Sequence, residues 1–185
     1  MRQFISGMIA MFILACAANL QAQQLYLDSL YSDIRKETHT YYTKPDQKLK
    51  LDLYEPVAHE DGQRPMLLYV HGGGFSGGKR DHPNHEAFCR AMAAKGYVTA
   101  TMSYTLQMKG KSFGCDLPAP KKIETFLKTS RDVNRAVSFL LDNRSQFGID
   151  TTRIVLLGSS AGAEAVMHTA YWDAARTDNQ GRILS

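Results

Sequence analysis

Residues 153–163, RIVLLGSSAGA, constrain this chain more than any other stretch. Ile154 to Leu157 is a short, wholly apolar run, the pattern of a strand buried on both faces. It breaks at Gly158-Ser159-Ser160-Ala161-Gly162, a G-x-S-x-G match, and resumes over residues 163–172 with the composition of a helix. A serine at a sharp strand-to-helix turn is held strained and exposed, its hydroxyl clear of the backbone. Gly158 and Gly162 flank it because a Cβ at either position would collide with the adjoining strand or helix. Ser160 also stands at a helix N-terminus, where free N–H groups and the helix dipole favour developing negative charge.

A second element lies upstream. Residues 66–70, MLLYV, read as another buried strand and run directly into His71-Gly72-Gly73-Gly74-Phe75. A run of glycines lets backbone N–H groups approach a ligand with no side chain in the way. Taken alone the glycines also fit a surface turn, and the G-x-S-x-G match alone is weak. The two together, each at the end of an apolar strand, make chance a poor explanation.

Other residues invite chemistry and have plainer readings. Gly77-Gly78-Lys79 superficially suggests a phosphate loop, but Arg80 follows the lysine where the motif needs Ser or Thr. His168, eight residues past Ser160 on the following helix, points away from the turn and reads as a surface or core histidine. Glu164 is a first-turn acid favoured by the helix dipole. Nothing in the sequence calls for a metal or a cofactor.

The 185 residues suffice for one domain, and 44% hydrophobic with 22% charged residues is ordinary globular composition. A formal charge of +4 without a long Lys/Arg run gives no footprint for nucleic acid. Arg2 precedes an apolar stretch over residues 4–18, too short to span a bilayer comfortably, and Ala22 offers a small residue at a cleavage position. Residues 1–22 therefore read as a secretory signal peptide, with residues 23–185 as the mature chain, exported to the periplasm or secreted. The alternative is a lipoprotein anchored at Cys16, since Ile13-Leu14-Ala15-Cys16 loosely matches a lipobox. Export leaves Cys89 and Cys115, which either pair or remain two separate thiols.

Along the chain, residues 38–43 and 48–55 form an expected hairpin around residues 44–47. Leu49, Leu51 and Leu53 alternate with Lys50, Asp52 and Tyr54, the mark of a strand with one face exposed. Residues 57–64 are an expected loop. From residue 66 strands alternate with helices: strand 66–70, helix 86–95, strand 97–104, an irregular connection over 109–122, then a helix striped by Val133, Ala136, Val137, Leu140 and Leu141. Gly148 stops that helix and residues 149–152 turn the chain into the Ser160 strand. This alternation predicts an α/β fold, a mostly parallel sheet covered by helices on both faces, with an antiparallel hairpin at its N-terminal side.

The hairpin, the strand ending in HGGGF, the alternating units and GSSAG resemble the α/β-hydrolases from about Thr38 onward. The branch most similar is that of secreted bacterial carboxylesterases, including acetylxylan and feruloyl esterases and hormone-sensitive-lipase-like enzymes. Phe147-Gly148-Ile149-Asp150 also resembles that family's approach to the serine. The resemblance implies Ser160 as nucleophile and the N–H groups of Gly73, Gly74 and Ala161 as an oxyanion hole. It implies His71 and Gly72 as supports of the loop, His71 not being the base, and Gly158 and Gly162 as the small residues of the turn. The partner it implies is a small-molecule or polysaccharide-linked ester; the oligomeric state is left open.

The sequence departs from the family at its C-terminal side. The family's acid, Asp or Glu, and its histidine follow the serine well downstream in chain order. Yet apart from Glu164 in the first turn of the next helix, only Asp173, Asp178 and His168 follow Ser160 here. The expectation is an α/β-hydrolase truncated after the serine helix, with both triad partners beyond Ser185. Two rival readings stay open: a secreted serine peptidase of the same fold, and a pseudo-hydrolase used for binding.

Overall fold

The hairpin that begins the domain is longer than its alternating core. β1 (Ile34–Thr43) and β2 (Lys48–Pro56) pair antiparallel, with a bulge between Thr40 and Tyr42. The turn between them closes through the Lys44 N–H donating to Gln47 at 2.7 Å. This computed structural model describes residues 26–59 and 62–171. The export segment 1–22, Cys16, Asp173, Asp178 and the tail to Ser185 lie outside the described residues.

β3 (Arg64–Val70), α1 (Pro83–Ala93), β4 (Val98–Met102), α2 (Ala119–Asp142), α3 (Arg144–Phe147), β5 (Ile149–Gly158) and α4 (Ala161–Tyr171) follow. The sheet order is β1-β2-β4-β3-β5, with β2 antiparallel to β4 and the β4-β3-β5 trio parallel. Parallel neighbours need crossovers, and α1 and α2 belong to them. The main core joins Leu49, Leu51 and Leu53 to Met66, Leu68, Ala100 and Met102, under Val133, Ala136 and Leu140 of α2 and Ala161 and Ala165 of α4. Alternate residues face the other way, where Tyr54 and Tyr69 meet Cys89 and Ala93 of α1. Helices therefore cover both faces.

Several expectations are corrected. The face of β2 expected to be exposed is covered, for Asp52 and Tyr54 are both fully buried. Asp52 tolerates burial because Thr38 donates to it at 2.7 Å while Arg80 and Lys36 stand 3.0 and 3.6 Å away. α2 starts at Ala119, inside the stretch read as irregular; Pro118 and Pro120 belong to a helix start, where a missing N–H costs nothing. Residues 149–152, expected as a turn, belong to β5, which pairs with Arg64 through Ile149. Nor is β5 buried on both faces. Among the described residues it pairs only with β3, and Val155 is 43% exposed.

Glu55 ties the hairpin to the rest, accepting from Arg35 at 2.5 Å and Arg64 at 2.7 Å, while Arg64 also donates to Phe147 O. Burial pushes its carboxyl up, but the two guanidiniums outweigh this and hold it below the usual carboxylate range. Cys89 is a buried free thiol, pushed up to about 12 by burial, and Cys115 is an exposed free thiol. Among the described residues no helix is long and apolar enough to cross a membrane.

Candidate functional site

Because β3 and β5 are parallel neighbours with Val70 opposite Gly158, whatever follows each strand emerges at the same edge of the sheet. The HGGG loop follows β3 and Ser160 follows β5. The Ser159 N–H still donates to Val70 O at 3.2 Å, one last rung of the ladder, and the chain then reverses into α4. Gly162 N–H donates to Ser159 O at 2.8 Å and Glu164 N–H to Ser160 O at 3.1 Å, so the helix starts at once.

Ser160 is exposed, with φ at +49°. A non-glycine residue in that region carries strain of about 1–3 kcal/mol, held in place by its surroundings. The surroundings here are tight. A Cβ on Gly162 would lie 2.1 Å from Val70 O, and one on Gly158 would lie 2.4 Å from Gly162 C, both backbone atoms that cannot give way.

The two motifs touch. The Gly72 N–H donates to Ser159 Oγ at 3.1 Å across 87 residues of sequence. A Cβ on Gly72 would stand 2.8 Å from Ser159 O and 3.2 Å from Ser160 Cβ. Past Gly72 the loop curls on itself, with Ser76 N–H and Gly77 N–H both donating to Gly73 O at 3.0 Å. Phe75, fully buried against Phe113 and Phe126, anchors it, and its carbonyl accepts from Met108 N–H at 2.9 Å. Among the described residues the N–H groups of Gly73, Gly74 and Ala161 meet no acceptor.

His71 is committed to the loop. Its Nδ1–H donates to Gly72 O at 2.7 Å, and its ring stacks on Tyr104 at 4.4 Å. Burial pushes its pKa down, against the bond to Gly72. The Tyr104 hydroxyl donates to His71 O at 3.0 Å. His168 stacks on Phe126 at 4.2 Å and burial lowers its pKa as well. Glu164 is exposed in the first turn of α4. Gly78 packs against Gly72 O and the His71 ring. The remaining histidines with defined contacts sit elsewhere: His39 against Phe139 and Phe147, His82 at the cap of α1, His85 on Lys79 O. Among the described residues no cluster of His, Cys, Asp and Glu is placed to hold a metal.

Two contributors escaped the sequence reading. Ser159 fills only the variable position of G-x-S-x-G in the sequence, yet its hydroxyl is the link to Gly72. Tyr104, at the exit of β4, steadies His71 from below. An aromatic residue just past a strand that neighbours β3 was the available signal, but only the sheet order gives it meaning.

Comparison with known proteins gives a consistent picture. The BD-FAE family model matches residues 51–182. Fumonisin B1 esterase of Sphingopyxis macrogoltabida is 31% identical over 121 residues, 64% of this chain and 22% of that protein. Esterase B of Lactobacillus rhamnosis superposes with a TM-score of 0.54 at 26% identity, covering 89% of this chain and 48% of the other. Brefeldin A esterase, a bacterial homologue of human hormone-sensitive lipase, gives a TM-score of 0.54 at 23% identity over 85% of this chain and 42% of its own, a likeness of fold. The chain spans only 20–22% of the length of the first curated relatives it matches.

Proposed function

This chain belongs to the BD-FAE family of α/β-hydrolases, carboxylesterase-like in character, and from that membership we propose that it carries the nucleophile and the oxyanion-binding half of a serine carboxylic-ester hydrolase. The observation that carries the reading is the exposed, positive-φ Ser160 set against Gly72 of the HGGG loop. In this reading Ser160 Oγ attacks the acyl carbon of an ester while a base takes its proton. The carbonyl oxygen becomes a tetrahedral oxyanion received by the N–H groups of Gly73, Gly74 and Ala161, the kind of donors that stabilise charge as it develops. Collapse expels the alcohol, which regains the proton, and water then releases the acid from the acyl-serine by the same route.

The base and its orienting acid are supplied by residues beyond Ser185. The placement of His71 in the loop and of His168 against Phe126 supports this, as does the greater length of the relatives. Export behind residues 1–22 belongs to the same proposal, and N-terminal sequencing of the mature product at or near Gln23 tests it.

Hydrolysis of p-nitrophenyl acetate tests the chemistry. A protein carrying the downstream segments releases p-nitrophenol and loses that activity in Ser160→Ala, whereas the 185-residue chain alone releases it weakly at most. Equal turnover in Ser160→Ala ends the nucleophile assignment. Ordinary esterase rates from the short chain, dependent on Ser160, end the assignment of an external base.

A further inference from the structure

The hairpin turn and helix α2 enclose a cleft of about 320 Å³ in which the esterase reading has no part. On the helix side Lys128, Arg131, Asp132 and Arg135 line it at i, i+3, i+4 and i+7, the spacing of one helical face. Lys44 and Asp46 line it from the turn and Gln107 from the segment after β4. Four cations thus face two carboxylates.

One of those carboxylates is already used. Asp132, fully buried, accepts from Thr105 N–H at 3.0 Å and from the Thr105 hydroxyl at 2.6 Å. It also pairs with Lys44 at 3.2 Å and Arg135 at 2.9 Å. Lys44 additionally reaches the Thr105 hydroxyl, and the Arg135 guanidinium lies 3.9 Å over the Tyr42 ring. The cleft is therefore built from beneath, with Lys44 and Arg135 fixed before any ligand arrives. A guanidinium has five N–H donors, and the recorded bond of Arg135 to Asp132 engages one nitrogen. Arg131 is exposed, and among the described residues it makes no ion pair with a carboxylate. Lys128 is held at the rim by Glu124 at 2.5 Å.

We propose that this cleft binds a sugar acid, a hydroxylated ligand with a single carboxylate. Arg131 and Arg135 receive the carboxylate, for which planar guanidiniums are shaped. Asp46 and Gln107 supply acceptors and donors for hydroxyl groups. A phosphate offers charge to the guanidiniums but no row of hydroxyl groups for Asp46 and Gln107, and fits less well. The inference stands on the cleft alone and does not depend on ester chemistry at Ser160.

Isothermal titration of the full chain with glucuronate, glucose and inorganic phosphate tests it. Glucuronate binds most tightly, with glucose and phosphate each weaker by about tenfold, the worth of one charge-assisted hydrogen bond. Arg131→Gln, at an exposed helix position, keeps the melting temperature but weakens glucuronate about tenfold, and added salt weakens it further. Ser160→Ala binds glucuronate as the unaltered chain does, which separates this proposal from the esterase one. Glucose or phosphate binding as well as glucuronate, no heat from glucuronate at millimolar concentrations, or an unchanged Arg131→Gln each overturn it.

Discussion

Gly162 of the serine turn and Gly74 of the HGGG loop are both glycine, for different reasons. At Gly162 the constraint is space: a methyl group would meet Val70 O at 2.1 Å and His71 O at 2.6 Å. At Gly74 it is backbone conformation: φ is +58°, while the nearest atom to an added Cβ is Ser76 Oγ at 3.8 Å. The turn is a contact between two strands' ends, so its glycines answer to a neighbour. Gly74 has room around it, unlike Gly72 and Gly73 beside it, so it answers only to its own φ and ψ. A sequence shows the same letter for both, and the difference predicts different damage.

The largest effect is expected for Gly162→Ala. Backbone oxygens of β3 cannot rotate aside, so β5 and α4 must shift off β3, at a cost of ~3 kcal/mol or more. Urea unfolding reads this as a lower midpoint; an unchanged midpoint breaks the spatial half of the comparison. Gly72→Ala comes next and strikes activity more than stability. Its Cβ presses on Ser159 O and Ser160 Cβ, displacing the loop amides relative to Ser160. Under the proposed function, loss of one oxyanion donor lowers kcat by on the order of 10²–10³, read with p-nitrophenyl acetate in a protein carrying the downstream segments.

Acid gives a smaller effect, confined to the loop. Burial lowers the pKa of His71 below its ordinary 6.5, so the unfolded chain binds the proton more readily than the folded one. The stability His71 contributes is complete above pH 6.5 and is lost as pH falls toward the folded value. Protection from hydrogen exchange at the amides of residues 72–78, relative to the intrinsic rate at each pH, therefore falls below pH 6.5 while that of the β1–β2 hairpin holds; a fall in both regions together contradicts a local origin. Smallest is Gly74→Ala, about 1 kcal/mol from the left-handed conformation alone. Gly74→Asn costs less, because asparagine tolerates that region. If alanine and asparagine cost the same, conformation is not the constraint.

The serine turn was the most legible part of this molecule, because a strand, a tight turn and a helix are encoded locally by residues 153–171. The glycine loop was nearly as clear, as it directly follows an apolar strand. Where reading failed, the cause was nonlocal. Asp52 looked like a solvent-facing residue because its companions, Lys36 and Arg80, come from elsewhere in the chain. The apolar run at Ile154–Leu157 looked buried on both faces because hydrophobicity does not report which strand lies at the rim of the described sheet. Pro118 and Pro120 looked like loop residues because proline marks helix starts as readily as it marks irregular chain. The link between Gly72 and Ser159 depends on β3 lying beside β5, an arrangement no local pattern contains.

That arrangement sets a timetable for synthesis. β3 enters the sheet between β4 and β5, both of which are made after it. The hairpin can close as it leaves the ribosome, its strands joined by a four-residue turn, but β3 waits, apolar and unpaired, through the making of α1, β4 and α2. The bond from Gly72 to Ser159 forms only once all of these are in place.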